Sequence, residues 1–312
     1  MKKTISIIIP FFNEERNINL ILNEVNVLIS KYNNYFFEII MMDNNSSDQS
    51  RAIIEKNITK FENLKYVKMS RNFGYQANIK AGYDICKGDA AVQLDADGED
   101  DPNLIAKFIE MWESGYDVVY GIRKQRKENI FLTLFRKLFY RILNISSNLS
   151  IPQDAGDFRL IDRRVIDELK KLNEKNLYLR GMISYIGFNQ IGIEYSRRKR
   201  FSGESKFSFF KYFEISLTAF TSFTNKPLIL LFIFGISVFL VSLVLAIFYT
   251  VIYFLGSVEA EGFTTLIIIQ LLFFGLQIFI LGFFGVYLGY ILDEIKNRPN
   301  YILDKEKIDK KN

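Results

Sequence analysis

Four short apolar runs, each followed by a polar loop and most by a helix-like segment, constrain this chain more than any other feature. Ile5–Pro10, Phe36–Met42, Leu64–Met69 and Ala90–Leu94 are dominated by β-branched and large apolar residues, as strands buried on both faces must be. Proline is expected to stop the first run at Pro10. After Asn13–Glu15, Ile18, Ile21, Leu22, Val25, Leu28 and Ile29 recur at helical spacing, and further helices are expected over Asp48–Lys56 and Gln76–Cys86. Strands alternating with helices in this way build a mostly parallel α/β sheet, whose ligands bind beyond the carboxyl ends of the strands. The loops carrying Asn13, Asp43, Arg71 and Asp95 all follow strands, so they should line one crevice. Neither Gly-x-Gly-x-x-Gly nor Gly-x-x-x-x-Gly-Lys-Ser/Thr occurs. A nucleotide here must be held by carboxylates, a metal and basic side chains.

The loop after the fourth run, Gln93 to Pro102, places Asp95, Asp97, Glu99, Asp100 and Asp101 within seven positions. Like charges this close repel unless a cation neutralises them. Asp95 and Asp97, at i and i+2, could aim both carboxylates at one divalent ion, and hard oxygen ligands favour Mg²⁺ or Mn²⁺ shared with substrate phosphates. A solvated acidic turn is the alternative, with Asp100 or Asp101 capping a helix that starts at Pro102. On the metal reading, Glu99, Asp100 and Asp101 are left to cap that helix and shape the crevice. Composition closes other routes. The chain has no histidine, which removes a His base, a Ser-His-Asp triad and His metal sites. Cys86 is its one cysteine, so there is no internal disulfide and no Cys-rich zinc site. Lys2 and Lys3 precede an apolar run too short for a signal-peptide core, so this part of the chain is expected to stay in the cytosol.

Beyond a strand-like Asp117–Tyr120 comes the basic cluster Arg123, Lys124, Arg126 and Lys127, suited to phosphate but equally a solvated loop. Phe131, Leu134, Phe135, Leu138, Phe139, Ile142 and Ile145 then share one helical face, with Arg136, Lys137 and Arg141 on the other. Such a helix lies in a membrane interface or packs on a core. Asp154 and Asp157 flank Gly156 in Pro152–Arg163, which reads by default as a turn. The stretch 181–192 reads as an apolar helix and turn. A second basic cluster, Arg197 to Lys206, suits phosphate or the flank of a membrane segment.

Leu228–Leu255 carries no charge over 28 positions and Thr264–Leu292 none over 29. About 20 apolar residues span a bilayer core. Seven Lys or Arg lie between Arg197 and Lys226 and six between Lys296 and Lys311, whereas the connecting Gly256–Gly262 has Glu259 and Glu261 and no cation. The positive-inside rule therefore puts both termini in the cytoplasm. Gly285 and Gly289 fit a Gly-x-x-x-Gly packing motif.

Ile7–Ile18, the Asp43–Asp48 loop, Ser70–Gly74 and Asp95-Ala96-Asp97 resemble the GT-A family 2 glycosyltransferases. The Pro152–Arg163 string, Arg200-Phe-Ser-Gly-Glu-Ser205-Lys206-Phe207 and the Tyr287–Ile302 tail resemble that family's polyisoprenyl-phosphate branch, which acts on undecaprenyl or dolichyl phosphate and includes bactoprenol glucosyltransferases. The resemblance implies a GT-A, Rossmann-like catalytic domain over 1–207 with an interfacial helix at about 130–147. It also implies a juxtamembrane helix over 208–226, a two-helix transmembrane hairpin over 227–293 and a cytoplasmic tail over 294–312. Pro10, Phe12, Asn13, Glu14, Asp43, Asn44, Arg71, Asp95 and Ala96 would hold the nucleotide, and Asp95 and Asp97 the Mg²⁺ or Mn²⁺. Asp157 and Asp154, with Asp97, would form the catalytic group. Arg123, Arg126, Arg136, Arg200, Ser205 and Lys206 would engage the donor diphosphate or lipid phosphate. Where the family carries a second Asp that contacts the base, this chain has Asn44, and Phe207 replaces a tyrosine. The implied reaction moves a sugar, glucose from UDP-glucose first among donors, onto undecaprenyl phosphate at the inner membrane. A processive polysaccharide synthase would need Gln-x-x-Arg-Trp, which the lone Trp112 does not provide. A silent membrane scaffold would have lost the carboxylates. No nucleic-acid partner is expected, and homo-oligomer formation is left open.

Overall fold

The computed structural model describes residues 2–124, 141, 152, 155–198, 201, 226–255 and 262–304. They fall into two units. In the first, the chain runs β1 (Lys3–Phe11), α1 (Ile18–Ile29), β2 (Tyr35–Asp43), α2 (Ser50–Ile58), β3 (Leu64–Lys68), α3 (Tyr75–Ile85) and β4 (Ala90–Gln93). It continues through α4 (Leu104–Glu113), β5 (Val118–Arg123), β6 (Ala155–Asp162), α5 (Arg163–Lys171), α6 (Leu179–Ile186) and β7 (Gln190–Tyr195), and residues 299–304 also belong here. The second unit holds α7 (Lys226–Phe254) and α8 (Phe263–Lys296).

The seven strands form one sheet in the order β3-β2-β1-β4-β6-β5-β7. Pairing is parallel for β1–β2, β2–β3, β1–β4 and β5–β7, and antiparallel where β6 lies between β4 and β5. Alternation along the strands sorts the core into two layers. Ile5, Ile7, Ile9, Ile39 and Met41 join the cluster containing Ile21, Leu22 and Val25 of α1, Ile54 of α2 and Phe108 of α4. Ile8 and Met42 face α3 instead, where a Cβ at Gly82 would run into the Ile8 side chain. The missing side chain lets α3 approach the sheet closely.

Two expectations need correction. Pro10 does not end β1, which continues to Phe11 opposite Asp43. Ile8 accepts Leu94 N–H (2.9 Å) and Phe11 accepts Asn44 N–H (3.0 Å), so Pro10 turns its N–H-less edge toward β4. Pairing with β4 has already ended at Ile8–Gln93, so no ladder bond is lost. The string Pro152–Arg163 is largely strand β6 and not a turn. Val92, Val119 and Leu160 stack in register across three strands, and burial between two neighbours overrides the turn tendency of Gly156 and Asp157. The stretch 181–192 divides into the end of α6, a left-handed Gly187 (φ 86°) and the start of β7.

Within the second unit, α7 and α8 present exposed apolar side chains such as Phe232, Val244, Ile278 and Leu281. Phe273–Lys296 of α8 is long and apolar enough to cross a membrane, judged by length and composition. The expected interfacial helix at about 130–147 and juxtamembrane helix over 208–226 lie outside the described residues, apart from Arg141 and Lys226.

Candidate active site

Strand order reverses between β1 and β4, so the loops leaving their carboxyl ends diverge and open a crevice, as at any topological switch point. On one side of it, the loops after β1, β2 and β3 interlock. Asp43, buried at the end of β2, accepts Ser46 N–H (2.7 Å) and the Tyr66 hydroxyl (2.6 Å). Asn13, at φ 55°, accepts Ser47 N–H at 2.8 Å. Glu14 accepts from the Asn17 amide (2.5 Å), and its own N–H donates to Ser50 Oγ (3.2 Å). Asn44 uses both ends of its amide: Oδ1 accepts Phe73 N–H (2.9 Å), and Nδ2 donates to Asn72 Oδ1 (2.9 Å). Asn72 Oδ1 also accepts Gly74 N–H at 2.9 Å, so it must remain an acceptor and its partner must be a donor. An aspartate at position 44 has no N–H to offer. The asparagine therefore works as a clamp between loops. Arg71 stacks over the Phe73 ring, 3.9 Å from its centroid.

On the other side is the acidic turn. Asp95 Oδ1 accepts the Tyr75 hydroxyl (2.6 Å) and the Gln93 amide (2.8 Å). Ala96 is buried beside it, and Asp97 Oδ1 accepts Glu99 N–H at 3.0 Å. As expected, Asp101 caps the turn that leads into α4: its Oδ1 accepts Asn103 N–H (2.9 Å) and its C=O accepts Leu104 N–H (3.0 Å), with Pro102 at the first position. Asp100 is fully buried, where it accepts from the Tyr195 hydroxyl and Arg197. Phe158 packs between the rings of Phe108 (4.8 Å, tilted) and Tyr195 (6.0 Å, edge-on) and so helps to set that tyrosine in place. Arg197 also pairs with Glu99 and stands 3.8 Å from Asp95, while Arg198 bridges Asp101 (2.6 Å) and Glu24 (3.1 Å). Arg198 N–H and Phe201 N–H donate to Glu99 and Asp97 carbonyls. The second basic cluster thus starts as a strap across the acidic turn.

Electrostatics separates the acids. Burial, then Asp97 and Asp100, push the Asp95 carboxyl up to about 7. Five carboxylates meet two guanidinium groups here, and a donor set with that surplus of hard oxygen charge fits a divalent cation. Among the described residues no group of three or more acid, histidine or cysteine ligands forms. Gly98 turns the loop at φ 75°, and a Cβ there would strike the Phe201 ring. Gly98→Ala is expected to cost at least ~1–2 kcal/mol from the backbone alone, measured as a lower denaturation midpoint; an unchanged midpoint would show that the turn is not built on this glycine.

Burial above all, then Asp95 of this turn and Asp157 of β6, raise the Tyr75 phenol. Burial alone would raise Asp157, but Arg180 above all, then Arg159 and Arg123, hold it down at about 2. Arg180 grips it with two bonds of 2.8 Å. Arg123 sits against Gly156. Of the expected site residues, Pro10, Phe12, Asn13, Glu14, Asp43, Asn44, Arg71, Asp95, Ala96, Asp97, Arg123 and Asp157 fall at this end of the sheet. Asp154, Arg126, Arg136, Arg200, Ser205 and Lys206 lie outside the described residues. Sequence reasoning missed Tyr75, Arg180 and Arg197. Arg180 had left a signal, a cation between buried Leu179 and buried Gly181.

A parallel-rich sheet with a carboxylate pair at its switch point is the ligand-binding architecture of open α/β enzymes. Residues 6–170 match the profile of glycosyl transferase family 2, and the chain belongs to that family, with a GT-A-like α/β fold. It is 39% identical over 306 residues to the uncharacterized glycosyltransferase YkcC of Bacillus subtilis (strain 168), covering 96% of this chain and 93% of that one. The putative glycosyltransferase CsbB of the same organism is 33% identical over 98% of this chain and 93% of its own length. The SfII prophage-derived bactoprenol glucosyl transferase of Shigella flexneri is 32% identical over 96% of this chain and 97% of its own length.

Proposed function

We propose that the chain is a membrane-anchored, inverting transferase that moves a sugar from a nucleoside diphosphate onto a polyprenyl phosphate, with UDP-glucose as donor and undecaprenyl phosphate as acceptor. The observation that carries this reading is the near full-length match to a bactoprenol glucosyl transferase, which takes in the apolar helices as well as the catalytic unit. In this reading residues 1–207 are the catalytic domain, 208–226 lie along the membrane, and spans at about 228–255 and 264–292 form a hairpin. The catalytic domain and both termini, including the 294–312 tail, face the cytoplasm at the inner membrane. Exposed apolar side chains along α7 and α8 support it, because in water such faces would aggregate.

The chemistry suits these residues. An acceptor phosphate oxygen forms the new bond to sugar C1 while the nucleoside diphosphate leaves with the electron pair of the old bond. The nucleophile is already an anion, so no general base is required. Asp95 and Asp97 would hold Mg²⁺ or Mn²⁺, which neutralises charge on the leaving diphosphate. Asp157, kept ionised by Arg180, is matched to positive charge building at C1. Arg123, with Arg126, Arg136, Arg200, Ser205 and Lys206, orients phosphates, and the loops at Pro10–Glu14, Asp43–Asn44 and Arg71 hold the nucleoside. Positioning of this kind is a large share of catalysis when the nucleophile needs no activation.

Purified protein incubated with undecaprenyl phosphate, Mg²⁺ or Mn²⁺ and a panel of sugar nucleotides should yield a β-linked lipid-phosphate sugar with UDP-glucose. Absence of any lipid-linked sugar with every donor overturns the reading.

A further inference from the structure

We infer that the C-terminal segment 299–304 is a strap that positions the donor loop Ser70–Gly74, with Tyr301 as its positioning residue. The inference rests on the transferase reading for what the loop holds. The strap itself rests on contacts at three places in the catalytic unit.

The first place is the end of β3, the outer strand of the sheet. Leu303 forms an antiparallel bridge with Met69. Ile302 C=O accepts Ser70 N–H at 2.9 Å, Asp304 N–H donates to Lys68 C=O at 2.8 Å, and Lys68 Nζ stands 3.8 Å from the Asp304 carboxylate. The second place is α3. The Tyr301 hydroxyl donates to Asp84 Oδ2 at 2.9 Å, and Asp84 Oδ1 accepts from buried Lys80 at 2.6 Å. The third is the segment between α5 and α6, where Asn300 Nδ2 donates to Glu174 C=O at 2.8 Å. A segment meant only to cover a sheet edge needs the first of these alone.

β3 and α3 are the two elements that the loop Ser70–Gly74 joins. The strap holds the loop's first residue by its N–H and holds the helix that begins at its last. From there the contacts reach the site directly. Asn72 gathers Gly74 N–H and the Asn44 amide, and Tyr75, the first residue of α3, donates to Asp95. Pro299, with its fixed φ, starts the strap three residues past the end of α8. Residues 299–304 are thus fastened next to the loop that takes the donor.

The test is donor kinetics on the full chain, on Tyr301→Phe and on a chain ending at Arg298. Tyr301→Phe keeps the ring and removes the bond to Asp84. It should raise KM for UDP-glucose about two- to tenfold, the worth of one hydrogen bond, with kcat and KM for undecaprenyl phosphate unchanged. The shortened chain should raise it further, and Kd for UDP, measured calorimetrically, should rise in parallel. Donor KM equal to that of the full chain in both variants overturns the inference. So does a uniform fall in kcat with a lowered thermal midpoint, which marks a merely structural role. Failure of the transferase reading would show differently, as no transfer by the full chain.

Discussion

Asp97→Ala is expected to lower kcat by about 10²- to 10³-fold while leaving the protein folded. Asp97 is buried in the acidic turn, where its carboxylate accepts Glu99 N–H at 3.0 Å. Losing that bond costs about 1 kcal/mol. Removing one of five crowded carboxylates also relieves repulsion on Asp95, which Asp97 pushes upward. The two effects oppose each other, so the thermal midpoint should hardly move. Activity has no such compensation. On the proposed reading, a cation left with Asp95 alone would neutralise the departing diphosphate poorly, and about 3–4 kcal/mol added to the barrier is a factor of 10²–10³ in rate. The measurement is kcat across a titration of Mn²⁺ and Mg²⁺, beside the thermal midpoint. Asp101→Asn is the control, since Asp101 pairs with Arg198 on the outer side of the turn; it should stay within a few-fold of the parent chain. Undiminished turnover in Asp97→Ala would remove that residue from the reaction.

The parallel half of the sheet was legible in the sequence because its strands are buried on both faces and announce themselves as unbroken apolar runs. β1, β2, β3 and β4 appear within a residue or two of expectation. β6 was not, because its identity is settled by neighbours distant in sequence. Asp154-Ala155-Gly156-Asp157 reads locally as a turn, and only pairing to β4 and β5 makes most of it a strand. The same holds for the site. Asp95 and Asp97 stand out by spacing, yet what surrounds them does not. Tyr75 reaches Asp95 from 20 positions away and Arg197 reaches Asp100 from 97 away. Asp101 and Asp100 both looked like helix caps on local grounds; Asp101 is one, whereas Asp100 is claimed by Tyr195 and Arg197, which arrive from the far edge of the sheet. Asn44 looked like a departure from a base-reading aspartate, and its amide turns out to serve Asn72. Spacing finds groups that act together within one loop; it does not find the partner that fixes their charge.

That distinction makes the pair of Asp157 and Arg180 the sharpest test of the site's electrostatics. Asp157 titrates at about 2 against an ordinary 3.8. A carboxyl depressed on folding adds stability above its unfolded value, and that stability is lost as pH falls through the folded value. In the parent chain the contribution is therefore full at neutral pH and disappears between about pH 4 and pH 2. Arg180→Met takes away the two-pronged partner and leaves a mostly buried carboxylate with the weaker influence of Arg159 and Arg123. Breaking a buried pair from one side costs about 3–5 kcal/mol, so the variant should unfold at a clearly lower midpoint at pH 7. Burial then dominates at Asp157 and its carboxyl moves upward. A protonated carboxyl needs no cation, so the gap between variant and parent should narrow as pH is lowered. Asp157→Asn combined with Arg180→Met should recover part of the lost stability at pH 7, because the uncompensated charge is gone. Thermal unfolding at several pH values reads both effects. A gap that stays constant with pH, together with a double variant no better than Arg180→Met, would mean that the pair matters for packing and not for charge.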